Sequence, residues 1–212
     1  MAKESYLDGS LATTALKGIE EVYSGIIGEL NKIQSEAIDK ITAGWKGQDC
    51  VDFISKNVIP AVNSVSDEIQ KIFQSVNDTI TQNAQNYERK FLKGQTVFNR
   101  VAHNMKKVTV NCPPPFTGTI IGITDEAKLE LAKNYLKRMQ QQLLDLLNRA
   151  KKYAANSGFY GGGQQQKIDS SMKSIATSIS NLVNEFGNAV SKVATTAVTD
   201  AEELAKKNAG TF

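Results

Sequence analysis

What this 212-residue chain lacks narrows its chemistry first. It has one histidine and two cysteines, with no Cys-x-x-Cys or His-x-x-x-His pair, so the usual ligand spacing for a transition metal is missing and no metal or other cofactor is expected. There is no Gly-x-Ser-x-Gly elbow and no Gly-Lys-Ser/Thr phosphate loop. The carboxylate pairs Glu20-Glu21, Asp125-Glu126 and Glu202-Glu203 are chain neighbours, which point apart on a helix and read as solvated positions. His103, beside Asn104, reads as a surface or helix-end residue. None of this points to an enzyme. No stretch approaches the roughly 20 apolar residues of a transmembrane helix, and Met1-Ala2-Lys3-Glu4-Ser5 lacks the apolar core of a secretory signal peptide. Net charge is only +3, and Lys106-Lys107 and Lys151-Lys152 are too short to make a basic stripe, so nucleic acid is not the expected partner.

Proline is scarce as well. Three of the four prolines are consecutive, Pro113-Pro114-Pro115, which leaves long stretches free to be helical. Two readings are open at Pro60: a kink early in a helix, or the true start of one, with Asn57 as its cap. Aromatic residues make up 7% of the chain against 41% apolar, so the core is built from Ile, Val, Leu and Ala and suits a narrow helical seam.

What is present is periodicity. Ile19, Val22, Ile26, Leu30, Ile33, Ala37 and Ile41 recur at steps of three or four, as do Val58, Val62, Val65, Ile69, Ile72, Val76, Ile80, Ala84 and Tyr87. Two such stripes describe two helices. Between them stands Trp45-Lys46-Gly47, with the only tryptophan. Glycine lets the backbone reverse, and the indole can close the end of the hairpin. The second half repeats the layout. Tyr135, Met139, Leu143, Leu146, Ala150 and Tyr153 lead to Phe159-Tyr160-Gly161. Ile168, Met172, Ile175, Ile179, Leu182, Phe186, Val190, Val193, Ala197, Ala201 and Leu204 follow. Gly161-Gly162-Gly163 reads as a hairpin turn and not as a phosphate cradle, because no strand precedes it.

Helix, Gly44-Trp45-Lys46-Gly47, then helix with Phe53 resembles the WXG (ESAT-like) family of helical-hairpin proteins of type VII secretion systems. Phe159-Tyr160-Gly161 resembles the same turn more loosely, with Phe159 standing where Trp45 stands. The resemblance implies hairpins that pair into antiparallel four-helix bundles, and a tandem copy implies that one chain makes the bundle alone. Exported members or their partners commonly carry a tyrosine followed four residues later by Asp or Glu. Here Tyr6, Tyr23, Tyr87, Tyr135, Tyr153 and Tyr160 are followed at that distance by Ser10, Ile27, Phe91, Met139, Ser157 and Gln164.

The expected fold is therefore all-α: an antiparallel four-helix bundle of two tandem hairpins, 1–106 and 125–212, joined by an extended linker, 107–124. The first hairpin's second helix is expected to run on past Gly94 through Phe98, Val101 and Met105, which keep the spacing. Helix three is expected to open at Asp125 and Glu126, with Thr124 as its cap. A helix of about 35 residues is about 50 Å long. If the hairpins pack head to tail, the linker must run back to the Trp45 end, and roughly 18 extended residues span about 60 Å. That route brings Cys112 towards Cys50, raising a disulfide as one expectation and two separate apolar-packed thiols as the other.

Three functions follow. The first is a non-enzymatic secreted WXG-like protein, acting as type VII substrate, partner or scaffold through helical surfaces, with Trp45, Gly47, Phe159, Tyr160 and Gly161 as turn and recognition elements. Its partners would be the secretion machinery or another helical protein, and it would leave the cell without a Sec signal. The second is a membrane-active helical bundle of pore-forming type, with Phe116, Ile120, Ile121 and Ile123 as an apolar tongue. A strand-like linker packed on the helices is the favoured alternative for that segment. The third is a cytoplasmic coiled-coil adaptor. A monomeric intramolecular bundle and a homodimer are both open.

Overall fold

In the computed structural model, described for residues 8–104, 106–157, 170, 173–178, 180–192 and 195, the chain is mostly helical with one small two-stranded ribbon. Helix α1, Gly9–Asn31, opens where the Asp8 carboxylate accepts the Leu11 N–H at 3.0 Å, which satisfies one of the free amides of the first turn. A single π-helical turn, Gln34–Ile38, links α1 to α2, Asp39–Gly44. The chain reverses at β1, Trp45–Lys46, and Gly47. It returns through α3, Gln48–Phe53, a second π turn, Ile54–Val58, and α4, Ile59–Phe91.

The second π turn resolves the role of Pro60. The helical run does not start at Pro60; it passes through it, and Asn57 makes no cap. Proline lacks an N–H and crowds the carbonyl four residues earlier. A π turn immediately before it opens the ladder at that carbonyl, a known way to absorb such a defect.

The two arms lie antiparallel. Tyr23 stacks obliquely on Phe73, with centroids 5.4 Å apart. The first stripe is buried throughout, from Ile19 to Ile41. On the returning arm Val58, Val62, Val65, Ile69, Ile80 and Ala84 are buried, but Phe73 and Asn77 take the inward places expected for Ile72 and Val76, which are half-buried. A straight α-helix drifts about 20° per heptad, so a seven-residue repeat cannot keep one face inward over the length of α4.

Helix α4 stops at Phe91, short of the expected run through Phe98 and Val101. Lys93 and Gly94 both take positive φ, 50° and 86°, and the Gly94 N–H turns back to the Glu88 carbonyl at 3.4 Å. This left-handed termination frees the chain from the helix. The buried Glu88 carboxylate then accepts the N–H groups of Val97 and Phe98 at 2.6 and 2.7 Å, which fixes an extended start. The connection therefore begins well before residue 107. Residues 95–104 and 106–121 carry no helix or strand and form a strap that climbs the hairpin towards the Trp45 turn.

Side chains of the hairpin hold the strap by its backbone. Asn99 N–H bonds Thr13 Oγ1 at 3.0 Å, the Tyr23 hydroxyl donates to the Lys106 carbonyl at 2.6 Å, and Thr109 N–H bonds Asn31 Oδ1 at 3.0 Å. Further along, Asn111 N–H bonds Gln34 Oε1 at 2.7 Å and Phe116 N–H bonds Gln48 Oε1 at 3.2 Å. The half-buried residues change spacing on the way. Val108 and Val110 alternate as in a strand, whereas Val110, Pro113 and Phe116 recur every third residue, the period of a polyproline II helix.

The strap ends in β2, Gly122–Ile123, paired antiparallel with β1: Trp45 opposite Ile123, and Lys46 opposite Gly122. Helix α5, Glu126–Ala155, starts there. Its cap is Asp125, whose side chain accepts the Lys128 N–H at 3.2 Å. Thr124, expected as the cap, instead gives its N–H to the Gly44 carbonyl at 2.8 Å. From that end α5 runs antiparallel to α1. Tyr135 Oη donates to the Glu29 carbonyl at 2.9 Å, Leu146 lies on Gly25, and Tyr153 lies on Gly18. A Cβ at Gly18 would sit 2.5 Å from the Tyr153 ring, so glycine there is what admits the aromatic side chain. Residues 173–178 and 180–192 are helical; Ser180 accepts from Gln140, and buried Phe186 lies 6.0 Å from Phe53.

Candidate functional site

The candidate site is the reversal at Trp45, where four segments meet. Its geometry follows from the small residues on either side of the indole. The Gly44 carbonyl accepts both the Thr124 and Asp125 N–H groups, at 2.8 and 3.1 Å, and a Cβ on Gly44 would lie 2.5 Å from the Asp125 carbonyl oxygen. Glycine is thus needed for the backbone of α5's first turn to dock on α2. Gly47 takes φ 135°, a conformation that side chains disfavour.

Trp45 is 3% exposed. Its Nε1–H donates to Asp49 Oδ2 at 3.1 Å, and the other Asp49 oxygen accepts the Cys50 N–H at 2.9 Å. One carboxylate therefore ties the ring to the first turn of α3. Asp49, four residues after the tryptophan, was not singled out from the sequence. An aromatic run, Trp45 to Phe53 at 5.8 Å and Phe53 to Phe186 at 6.0 Å, extends from the turn to the last helical segment. Trp45 is a packing element, buried from any partner. The face it leaves to solvent carries Lys46, whose ammonium donates to the Thr42 carbonyl at 2.6 Å. Phe159, Tyr160 and Gly161, the matching turn expected in the second half, lie outside the described residues.

The strap carries Cys112 between its contacts at Gln34 and Gln48, and both thiols are free. Cys50 is buried beneath the turn and Cys112 stands exposed on the strap. Of the two expectations this is the pair of separate thiols, with apolar packing for Cys50 only. Burial, reinforced by Asp49, pushes the Cys50 thiol up to about 12. In the native protein without reductant, a thiol reagent near pH 8 should label Cys112 quickly and Cys50 only after denaturation. Labelling of neither residue in the native state would contradict this. The same shift has a pH consequence. An unfolded thiol ionises near 8.5, so between about pH 9 and 12 the unfolded chain holds fewer protons than the folded one. Stability then falls as pH rises through that window. Tyr135, raised by burial and by Glu29, acts in the same direction. Cys50→Ala should flatten the fall in melting temperature between pH 9 and 11.

The four tongue residues divide. Ile123 is half-buried in the ribbon opposite Trp45 and Phe116 is half-buried against the bundle, while Ile120 and Ile121 are 66% and 75% exposed. No described helix is long and apolar enough to cross a membrane, and no group of His, Cys, Asp and Glu among the described residues could hold a metal ion.

A second polar centre lies midway along the hairpin. His103 and Glu20, read from sequence as solvated, are paired: His103 Nδ1 lies 2.8 Å from Glu20 Oε1, with side chains only 7% and 12% exposed. Glu20 also accepts the Asn77 side-chain amide at 3.0 Å and the Asn104 N–H at 2.9 Å. Tyr23 packs on the imidazole, with ring centroids 4.6 Å apart, and burial, with Glu20 beside it, raises the Tyr23 hydroxyl's pKa. His103 Nε2 is buried without a hydrogen-bond partner. Glu20 follows Ile19 on the apolar stripe, and that one-residue offset was the available signal that it turns inward while Glu21 does not. In comparisons with known proteins, no family model, no curated protein and no solved structure matches this chain.

Proposed function

We propose that this chain is a non-enzymatic interaction protein of the WXG type, a substrate, partner or scaffold of a type VII secretion system. The observation that carries the reading is the Trp45-Lys46-Gly47 reversal between two long helical arms, with a second helical pair encoded behind it. In this reading the four arms form one antiparallel bundle within a single chain. Support comes from α5 lying against α1 and from the last segment, whose Ser180 meets Gln140 mid-bundle while Phe186 meets Phe53 near the turn. Such a bundle binds partners through its helical surfaces, and the turn serves to set the shape of the end it presents. In this reading the protein leaves the cell through that secretion system.

The test is the amount of protein in culture medium with and without the type VII motor ATPase, using a cytosolic marker to control for lysis. The expected result is extracellular protein in the parent strain and retention inside the cell in the motor mutant. Equal amounts in both media would overturn the secretion reading and move the chain to the cytoplasmic adaptor class.

A further inference from the structure

We infer that the loop carrying Ile120 and Ile121 is a membrane-contact tip, taking the uncharged interface of a phosphatidylcholine-type bilayer. This is separate from export and does not depend on it. Three independent features converge on the loop. The first is exposure: Ile120 is 66% and Ile121 75% accessible, the two most exposed large apolar side chains among the described residues, and they are adjacent. Isolated exposed apolar residues are ordinary; these two adjoin on one loop and form a small contiguous apolar surface.

The second feature is charge. Residues 108–124 contain no Asp, Glu, Lys, Arg or His, in a chain that is 22% charged. The stretch itself brings no ion to dehydrate, and the charged side chains beside it are engaged within the turn, Lys46 with the Thr42 carbonyl and Asp49 with the Trp45 indole N–H; the backbone of a loop stays hydrated at interfacial depth. The third feature is placement. The ribbon to Trp45 and Lys46 anchors the loop at the turn end of the hairpin. Gly122, at φ 108°, redirects the chain just after Ile121, and the Ile121 side chain leans over Gly47. The ribbon and the turn at Gly122 thus place the exposed pair at the Trp45 end of the hairpin. A protein partner would need a pocket for two isoleucines and would ordinarily be aligned by polar rim groups; the loop supplies no charged group for such a rim. A bilayer needs neither. Trp45, buried at 3% exposure, supports the tip without entering the lipid.

The experiment is flotation of the full chain with neutral phosphatidylcholine vesicles and, in parallel, with vesicles containing an anionic phospholipid, at low and at high salt. The wild type should float with vesicles at both salt concentrations, and the double variant Ile120→Asp/Ile121→Asp should reduce the vesicle-bound fraction at least tenfold. Because both side chains are exposed, the variant should keep the wild-type helical circular dichroism. As a second reading, Thr119→Cys in a Cys112→Ser background, labelled with a polarity-sensitive dye, should shift to the blue on vesicles, and a dye at the exposed Lys56→Cys should not. Three results would each overturn the inference: absence of wild-type flotation, flotation unchanged in the double variant, or flotation that requires anionic lipid and disappears in salt.

Discussion

Trp45→Ala should destabilise the protein by about 3–5 kcal/mol, the range for removing a large aromatic side chain from a core. For a chain of this size that lowers the melting temperature by very roughly 6–20 °C. The contacts of the ring set the size of the loss. It is 3% exposed, it stacks towards Phe53, and its backbone supplies half of the ribbon that receives the strap. Truncation opens a cavity where α2, α3, the strap and α5 converge, and it leaves Asp49 without the indole donor. Trp45→Phe separates the two contributions. It keeps most of the packing and loses the hydrogen bond, so it should cost about 1–2 kcal/mol. Thermal melts followed by far-ultraviolet circular dichroism measure both. If Trp45→Ala melts within a degree of the wild type, the turn is not a packing centre. The same result would remove the physical basis for treating Trp-x-Gly as the organising element of the hairpin.

Much of this architecture was legible because helical periodicity is a strong signal over long stretches. Ile19 to Ile41 appear in the core as their spacing requires, and the need for a long extended connection followed from helix length alone. The departures have separate physical causes, and the first is a local stop that outweighs periodicity. Gly94 is a helix stop, but Phe98 and Val101 happen to keep the apolar step beyond it. They turn inward because the strap packs on the hairpin, not because a helix continues. Phe73 and Asn77 displaced Ile72 and Val76 through helical drift, which a heptad template cannot register. Cys50 precedes Ile54 and Val58 by four and eight residues and is buried with them, whereas Cys112 stands exposed on the strap, where no helical periodicity says which way a thiol points. The buried pairing of Glu20 with His103, across 83 positions, has no short-range signature.

That pairing gives the second large effect. Glu20→Leu should cost about 3–5 kcal/mol, although it replaces a charged side chain with an apolar one in a largely buried place. Glu20 accepts from His103 Nδ1, the Asn77 amide and the Asn104 N–H. Removing it strands donors of α4 and the strap in a site that already holds an unpartnered His103 Nε2, and a buried donor left unpaired costs more than its bond contributed. Leucine adds apolar volume but accepts nothing. Glu20→Gln keeps one acceptor oxygen and should recover part of the loss. The combination Glu20→Leu/His103→Phe/Asn77→Leu removes two of the donors along with the acceptor, though the Asn104 N–H and the Thr81 hydroxyl lose their acceptors and the Val101 carbonyl its donor; it should still be more stable than Glu20→Leu alone. Urea titrations of the four proteins provide the comparison, and amide exchange locates the damage. In Glu20→Leu the strap amides around Asn99 and Asn104 should lose protection before those of α1. If Glu20→Leu proves neutral, the cluster is not what holds the strap on the hairpin. The strap would then be held by its other contacts: the Glu88 carboxylate at its start, the bonds to Thr13, Tyr23, Asn31, Gln34 and Gln48 along its length, and the ribbon to Trp45 at its finish.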